Sequence, residues 1–400
     1  MWDRAVSVLA VTAVLMAGLT AASPAGSAAS SGVTAWGYNG DGQLGIGMRS
    51  RSALPMAVKG LRSAATVAAG GYHSMALLKD GTVVAWGFNK YGQLGNATSG
   101  NETAVPRPVE MLSQVIAISA GTFSSLALLA NGTVMAWGED LYGDLGDGST
   151  ASSNVPVPVC AVGAAPPCSE SRGNVLSGVT AVSAGSFHSL ALLANGTVVA
   201  WGENNDGELG DGTATTTGVD VPVAVQDLKS VAAISAGGNH NLALLTDGTV
   251  KAWGLNNDGQ LGIGRTIAYS AVAVPVRTLR NVRAVSAGAY HSAALLSDGT
   301  VRAWGLNNDG ELGDGAMGKD SDVARPVSDL SGVAAISAGG YHSLALLSDG
   351  TVMAWGSNEW GALGIPTTEA KDSEIPVLVP GLGSVSAISA GAYHNLVEEG

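Results

Sequence analysis

The tripeptide Ala-Trp-Gly occurs seven times, with tryptophans at Trp36, Trp86, Trp137, Trp201, Trp253, Trp304 and Trp355, separated by 50, 51, 64, 52, 51 and 51 residues. A period this regular over most of a 400-residue chain leaves repeat architectures and little else. Two other signatures keep step with it. Ala-Gly-x-x-His-Ser/Asn starts at Ala69, Ala184, Ala236, Ala287, Ala338 and Ala390, and at Ala120 with Ser124 in place of histidine. Asp/Asn-Gly-Thr-Val starts at Asp80, Asn131, Asn195, Asp247, Asp298 and Asp349.

One unit can be read through residues 333–364. Val333 to Ala338 is small and β-branched, as suits a strand covered on both faces. Gly339-Gly340 turns the chain, and Ser343 to Leu347 is a second apolar strand. Asp349-Gly350 marks a hairpin, for which a type I′ turn is expected. Thr351 to Trp355 is a third strand, and Asn358 to Gly364 is a glycine-punctuated loop. Pro376 to Val379 is an edge strand, where proline is tolerated. Four short antiparallel strands every 51 residues imply radial repetition, and no segment holds the 3.6-residue period of a helical solenoid. The fold class expected is all-β, a seven-bladed β-propeller of four-stranded blades. The first unit begins at its third strand, Val33 to Trp36, and the last stops after its second, near Leu396 and Val397. The two halves complete a seventh blade and remove the free edges. Glu398 and Glu399, standing where other copies have Leu-Leu, lead us to expect a shortened closing strand.

Composition agrees. The 57 glycines fit tight turns, and only 13% of residues are charged, too few for a disordered chain. A net charge of −13 without a basic cluster argues against nucleic acid. Residues 1–29 read as a secretory signal peptide, with Arg4 before the uncharged run Ala5 to Leu19 and small residues from Ala21 to Ala29. The propeller then occupies 30–400, and a secreted, extracellular monomer without a membrane span after signal removal is expected.

The pattern Trp-Gly-x-Asn-x-x-Gly-x-Leu-Gly, complete at Trp86 to Gly95, resembles the regulator-of-chromosome-condensation type of repeat. The resemblance covers about 33–397 and implies a seven-bladed propeller. It also implies three kinds of role: nucleotide exchange on a small nuclear GTPase with docking on nucleosomes, protein binding alone, or β-lactamase inhibition as in secreted relatives with a looser repeat. The export signal and the absence of a basic patch argue against the first.

All six histidines, His73, His188, His240, His291, His342 and His394, occupy one repeat position. Catalysis uses a single constellation, so they read as buried imidazoles satisfying neighbouring backbone groups. Equivalent positions around a ring lie too far apart to share a metal ion. The loop Asn204 to Asp211 is rich in oxygen donors but lacks the EF-hand spacing, and no phosphate-binding loop is present. No catalytic residue, metal or cofactor is expected. A carbohydrate-active hydrolase would need a paired Asp/Glu set in one cleft.

In a repeat protein, function should sit where the copies differ. Five residues after each tryptophan the chain reads Asp41, Tyr91, Tyr142, Asp206, Asp258, Asp309 and Trp360. Tyr91, Tyr142 and Trp360 are candidate protein-binding anchors. Asp206, Asp258 and Asp309, helped by Glu203, Glu208, Asp211, Glu311 and Asp314, favour a basic protein partner. The long interval of 64 contains Cys160 and Cys168, eight apart, expected to form a disulfide that pins a projecting recognition loop. The reading is a non-catalytic protein-binding propeller.

Overall fold

The structure is a computed structural model and describes residues 32–62, 64–265, 267–366 and 371–400; the segment read as a signal peptide lies outside them. Its 28 strands, β1 to β28, form seven four-stranded antiparallel sheets around a central channel. The blade after the first junction shows the pattern: β3 (Ala64–Ala69), β4 (His73–Leu78), β5 (Val83–Gly87) and β6 (Thr103–Pro108), in that order from the channel outwards. Small residues of the innermost strands line the channel, from the pattern Ala-x-Ser-Ala in six blades and from Ala68-Ala69 in blade 1. We number this blade 1 and continue in chain order.

Blade 7 is built from both ends of the described chain. β27 (Val385–Ala390) and β28 (His394–Glu399) supply its inner half, and β1 (Gly32–Gly37) and β2 (Ser52–Ala57) its outer half. The closing pair runs in unbroken register from Gly32 opposite Glu399 to Gly37 opposite His394. The expected shortening of this strand is therefore corrected. β28 has the same six residues as its counterparts, because Thr34 Oγ1 donates to Glu399 Oε1 at 2.7 Å and gives the substituted carboxylate a partner.

The hairpin expectation is also corrected. Gly350 has φ +86°, but Asp349 stays at negative φ. A type I turn closed by Gly350 N–H to Leu347 carbonyl (3.0 Å) leads into a left-handed glycine, so one positive φ suffices.

Apolar burial lies between blades. Each of the seven core clusters joins two neighbours; the one spanning blades 7 and 1 combines Val33, Ala35 and Leu396 with Val67, Ala76 and Trp86. All seven repeat tryptophans are fully buried. Each indole Nε1 donates, at 2.8–2.9 Å, to a carbonyl in the loop of the preceding blade, as Trp86 does to Gln43. The repeat tryptophans therefore pack between blades.

The histidines are fully buried too, with a different partner from the one expected. Each Nε2 meets not a backbone group but the Ser or Asn after the next blade's His slot, from His73 to Ser125 (2.8 Å) round to His394 to Ser74 (2.8 Å). Burial lowers their pKa values to about 3 or 4, so the ring is neutral.

Candidate functional site

The loops between third and fourth strands all open on one face. Their shape follows from three positions. The Asn or Asp three residues after each tryptophan accepts from the leucine five residues on, as Asn89 Oδ1 does from Leu94 N–H (3.1 Å). The Gln, Glu or Asp seven residues after the tryptophan accepts from the N–H two residues before it, as Gln93 Oε1 does from Tyr91 (3.1 Å). The glycine between them has positive φ and lies hard against the next blade; a Cβ on Gly92 would stand 2.5 Å from Asn154 Cα. These contacts hold the position between Asn and Gly half-exposed on the face, and there Tyr91, Tyr142, Trp360, Asp206, Asp258 and Asp309 all sit.

The same face holds an aromatic set that the loop position alone did not reveal. The residue before each His slot is Tyr72, Phe123, Phe187, Asn239, Tyr290, Tyr341 or Tyr393. With Tyr38, Phe88, Tyr91, Tyr142 and Trp360, ten rings plus Trp360 form one connected arc around the channel mouth, with centroids 5.0–6.3 Å apart. All three phenylalanines and seven of the eight tyrosines of the chain belong to it, and every member is half-buried. The signal was present in the sequence, since six of seven copies are aromatic just before the His slot.

The arc breaks at Asn239 of blade 4. Its amide donates to Glu203 Oε2 (3.3 Å) and Glu208 Oε1 (3.1 Å). The acidic sector runs over blades 3 to 5 but carries less surface charge than its composition promised. Glu203, Glu208 and Glu311 are buried, and Glu208 and Glu311 accept from Asp206 and Asp309 N–H (both 2.9 Å) as part of the loop framework. Burial pushes Glu208 and Glu311 up to about 7 and raises Glu203. Asp211 caps its own loop through Thr213, and Asp314 pairs with Arg325 at 3.2 Å. The half-exposed Asp206, Asp258 and Asp309 are what this framework leaves on the face. The same bonds use the oxygens of the Asn204 to Asp211 loop in backbone contacts.

Cys160 and Cys168 form the expected disulfide. The loop they close sits at the outer edge of the ring. Pro166 packs on Gly148, and Asn131 Nδ2 donates to Glu170 Oε1 (3.2 Å) beside the blade 2 hairpin. Gly148 belongs to the same blade 2 loop as Tyr142, so the cysteine loop packs against one of the loops of the face.

Fold and face together define a closed ring of seven interlocked repeats whose loops build one aromatic-rimmed surface. A family model described as the RCC1-like domain matches residues 162–399, and regulator of chromosome condensation (RCC1) repeats match 32–77, 80–128 and 131–192. The chain belongs to the RCC1 repeat family. Among its relatives, human HERC6, described as a probable E3 ubiquitin-protein ligase, is 34% identical over 71% of this chain, which spans only 27% of HERC6. The ultraviolet-B receptor UVR8 of Arabidopsis thaliana is 28% identical over 84% of this chain and 74% of its own length. Of solved structures, Prp20p of Saccharomyces cerevisiae, reported with its binding properties to Gsp1p and histones, superposes with a TM-score of 0.79 at 24% identity, covering 93% of this chain and 92% of that one. Human WBSCR16 gives 0.79 at 23% identity, covering 92% and 98%.

Proposed function

We propose that this is an exported, non-catalytic propeller that binds a basic protein through the loop face carrying Tyr91, Tyr142, Trp360 and the three aspartates. One observation carries the reading: nearly every aromatic side chain not used between blades is gathered, half-exposed, on that one face. Half-exposed tyrosine and tryptophan supply large rigid contact area at low entropic cost. The aspartates beside them add attraction for Lys and Arg at the rim. That Prp20p is reported to bind proteins is consistent with a binding role for the fold. The test is affinity capture from culture medium with immobilised protein at low and high salt. A single basic partner should be captured in a salt-sensitive manner, and Tyr91→Ala/Tyr142→Ala should weaken its capture at least about tenfold while the melting temperature moves by no more than about 2 °C. A large fall in melting temperature, or unchanged capture, overturns the assignment.

A further inference from the structure

A cavity of about 390 Å³ on the aromatic face lies where the loops of blades 5 and 6 meet blade 7. It is walled by Tyr38, Tyr72, Tyr341, Tyr393 and Trp360. Tyr38 meets Trp360 edge-on at 5.0 Å, and Tyr341 stacks on Tyr393 at 5.9 Å. One departure from the repeat lies on its wall. At the position seven residues after the tryptophan, the other six copies carry Gln43, Gln93, Asp144, Glu208, Gln260 and Glu311; here stands Ala362, which also lines the cavity. The backbone is unchanged, since Trp36 Nε1 and Asn395 Nδ2 both donate to the Ala362 carbonyl at 2.8 Å. What is missing is the polar side chain that ties down this loop in the other copies.

The charged residues lining the cavity are Asp309 and Glu359, and no described lysine or arginine lines it; Arg51 donates to the Glu359 carbonyl at 3.4 Å from outside the lining. Aromatic faces attract cations, and large, weakly hydrated cations lose least on leaving water. Elsewhere on the same face the Lys90 ammonium already sits 5.0 Å from the Tyr91 ring centre. A cavity of this volume admits a methylated ammonium head with its attached chain.

We propose that this pocket binds a quaternary or multiply methylated ammonium group, held by the rings of Tyr38, Tyr341, Tyr393 and Trp360, with Asp309 and Glu359 supplying the counter-charge. The group could reach it on a small solute such as choline or on a trimethylated lysine. The site does not depend on the protein partner proposed above, because it is tested with small probes. Calorimetric titration of the whole protein with choline, with a trimethyl-lysine peptide, and with 3,3-dimethyl-1-butanol, the uncharged isostere of choline, decides it. At least one cation should bind at least tenfold tighter than the neutral isostere, and the stronger of the two identifies the source. Ala362→Gln, which restores the residue of the sister loops, and Trp360→Ala should each weaken that binding at least tenfold. Thermal melting confirms that both variants are folded, and the first is compatible with the fold in three other copies. Binding of neither cation, equal binding of the neutral isostere, or unchanged binding by Ala362→Gln and Trp360→Ala overturns the proposal.

Discussion

Ser124 is the one departure in the ring of buried histidines. Its side chain is too short to reach the following blade, and Ser189 Oγ, which should receive the bond, is buried without a hydrogen-bond partner. An unmet buried hydroxyl costs about 1–3 kcal/mol. Ser124→His should therefore stabilise the protein by about 1 kcal/mol, read as a rise of about 2 °C in melting temperature. A fall would show that blade 2 has closed around the smaller side chain. Asp140 is a similar single departure. Six copies place an asparagine there, whereas Asp140 gives blade 2 a buried carboxyl that desolvation pushes up to about 7. The partner of the histidines was not legible from one repeat, because it lies about 52 residues away on the next blade. The seven-fold recurrence excluded catalysis without showing which group received the bond.

At the level of elements, strands were readable because their alternation and turn residues repeat in phase. Asp349-Gly350 fits both a two-residue I′ turn and a longer connection; the Leu347 N–H bonding to the Thr351 carbonyl at 2.8 Å, with Gly350 N–H bonding back to the Leu347 carbonyl, settles it as the latter. The candidate site was half legible. The variable loop position was found, but the aromatic position before each histidine was absorbed into a motif written with an unspecified residue. The outward placement of the cysteine loop could not be read from spacing. That loop has its own framework: Asn174 accepts from Ser169 N–H (2.9 Å) and donates to the Ala165 carbonyl (3.1 Å). Because Tyr142 is held by its N–H bond to Asp144 Oδ2 (3.3 Å) and by the Phe187 ring, Cys160→Ser/Cys168→Ser should leave partner capture unchanged while lowering stability by about 2–3 kcal/mol, the chain-entropy value for so short a loop. Loss of capture in a variant that still melts cooperatively would place the loop in the binding surface.

For the whole molecule, the dominant titrating groups are those buried between blades and in the loop frameworks. The unfolded chain takes up protons on its histidines below about pH 6.5, whereas the six buried imidazoles do so only near 3 or 4. Each therefore removes roughly 1.4 kcal/mol of stability per pH unit as pH falls through that window. Asp140, Glu208 and Glu311, raised to about 7, and Asp144, raised by burial, act in the opposite sense, gaining stability as pH falls towards 4. Asp41, Glu139, Glu203, Asp206, Asp258 and Glu398, also raised by burial, add to the carboxyl side, so the two sets oppose each other. Asp140→Asn removes one raised carboxyl and restores the residue of the other six copies, so the melting temperature of the variant should fall more steeply, or rise less, than that of the parent as pH drops from about 7 to about 4. An unchanged slope would show that Asp140 titrates alike in the folded and unfolded chain.

The way the ring is closed bears on how such a molecule could gain or lose a blade. Each stretch from one tryptophan motif to the next histidine motif supplies the outer half of one sheet and the inner half of its neighbour. Every boundary between such stretches thus falls inside a sheet. Excising one such stretch leaves two half-sheets of the same register facing each other, able to pair as β1 and β28 do. Blade number can change by whole units without ever exposing an unpaired edge, so the closure that seals this ring also makes its size heritable in single steps.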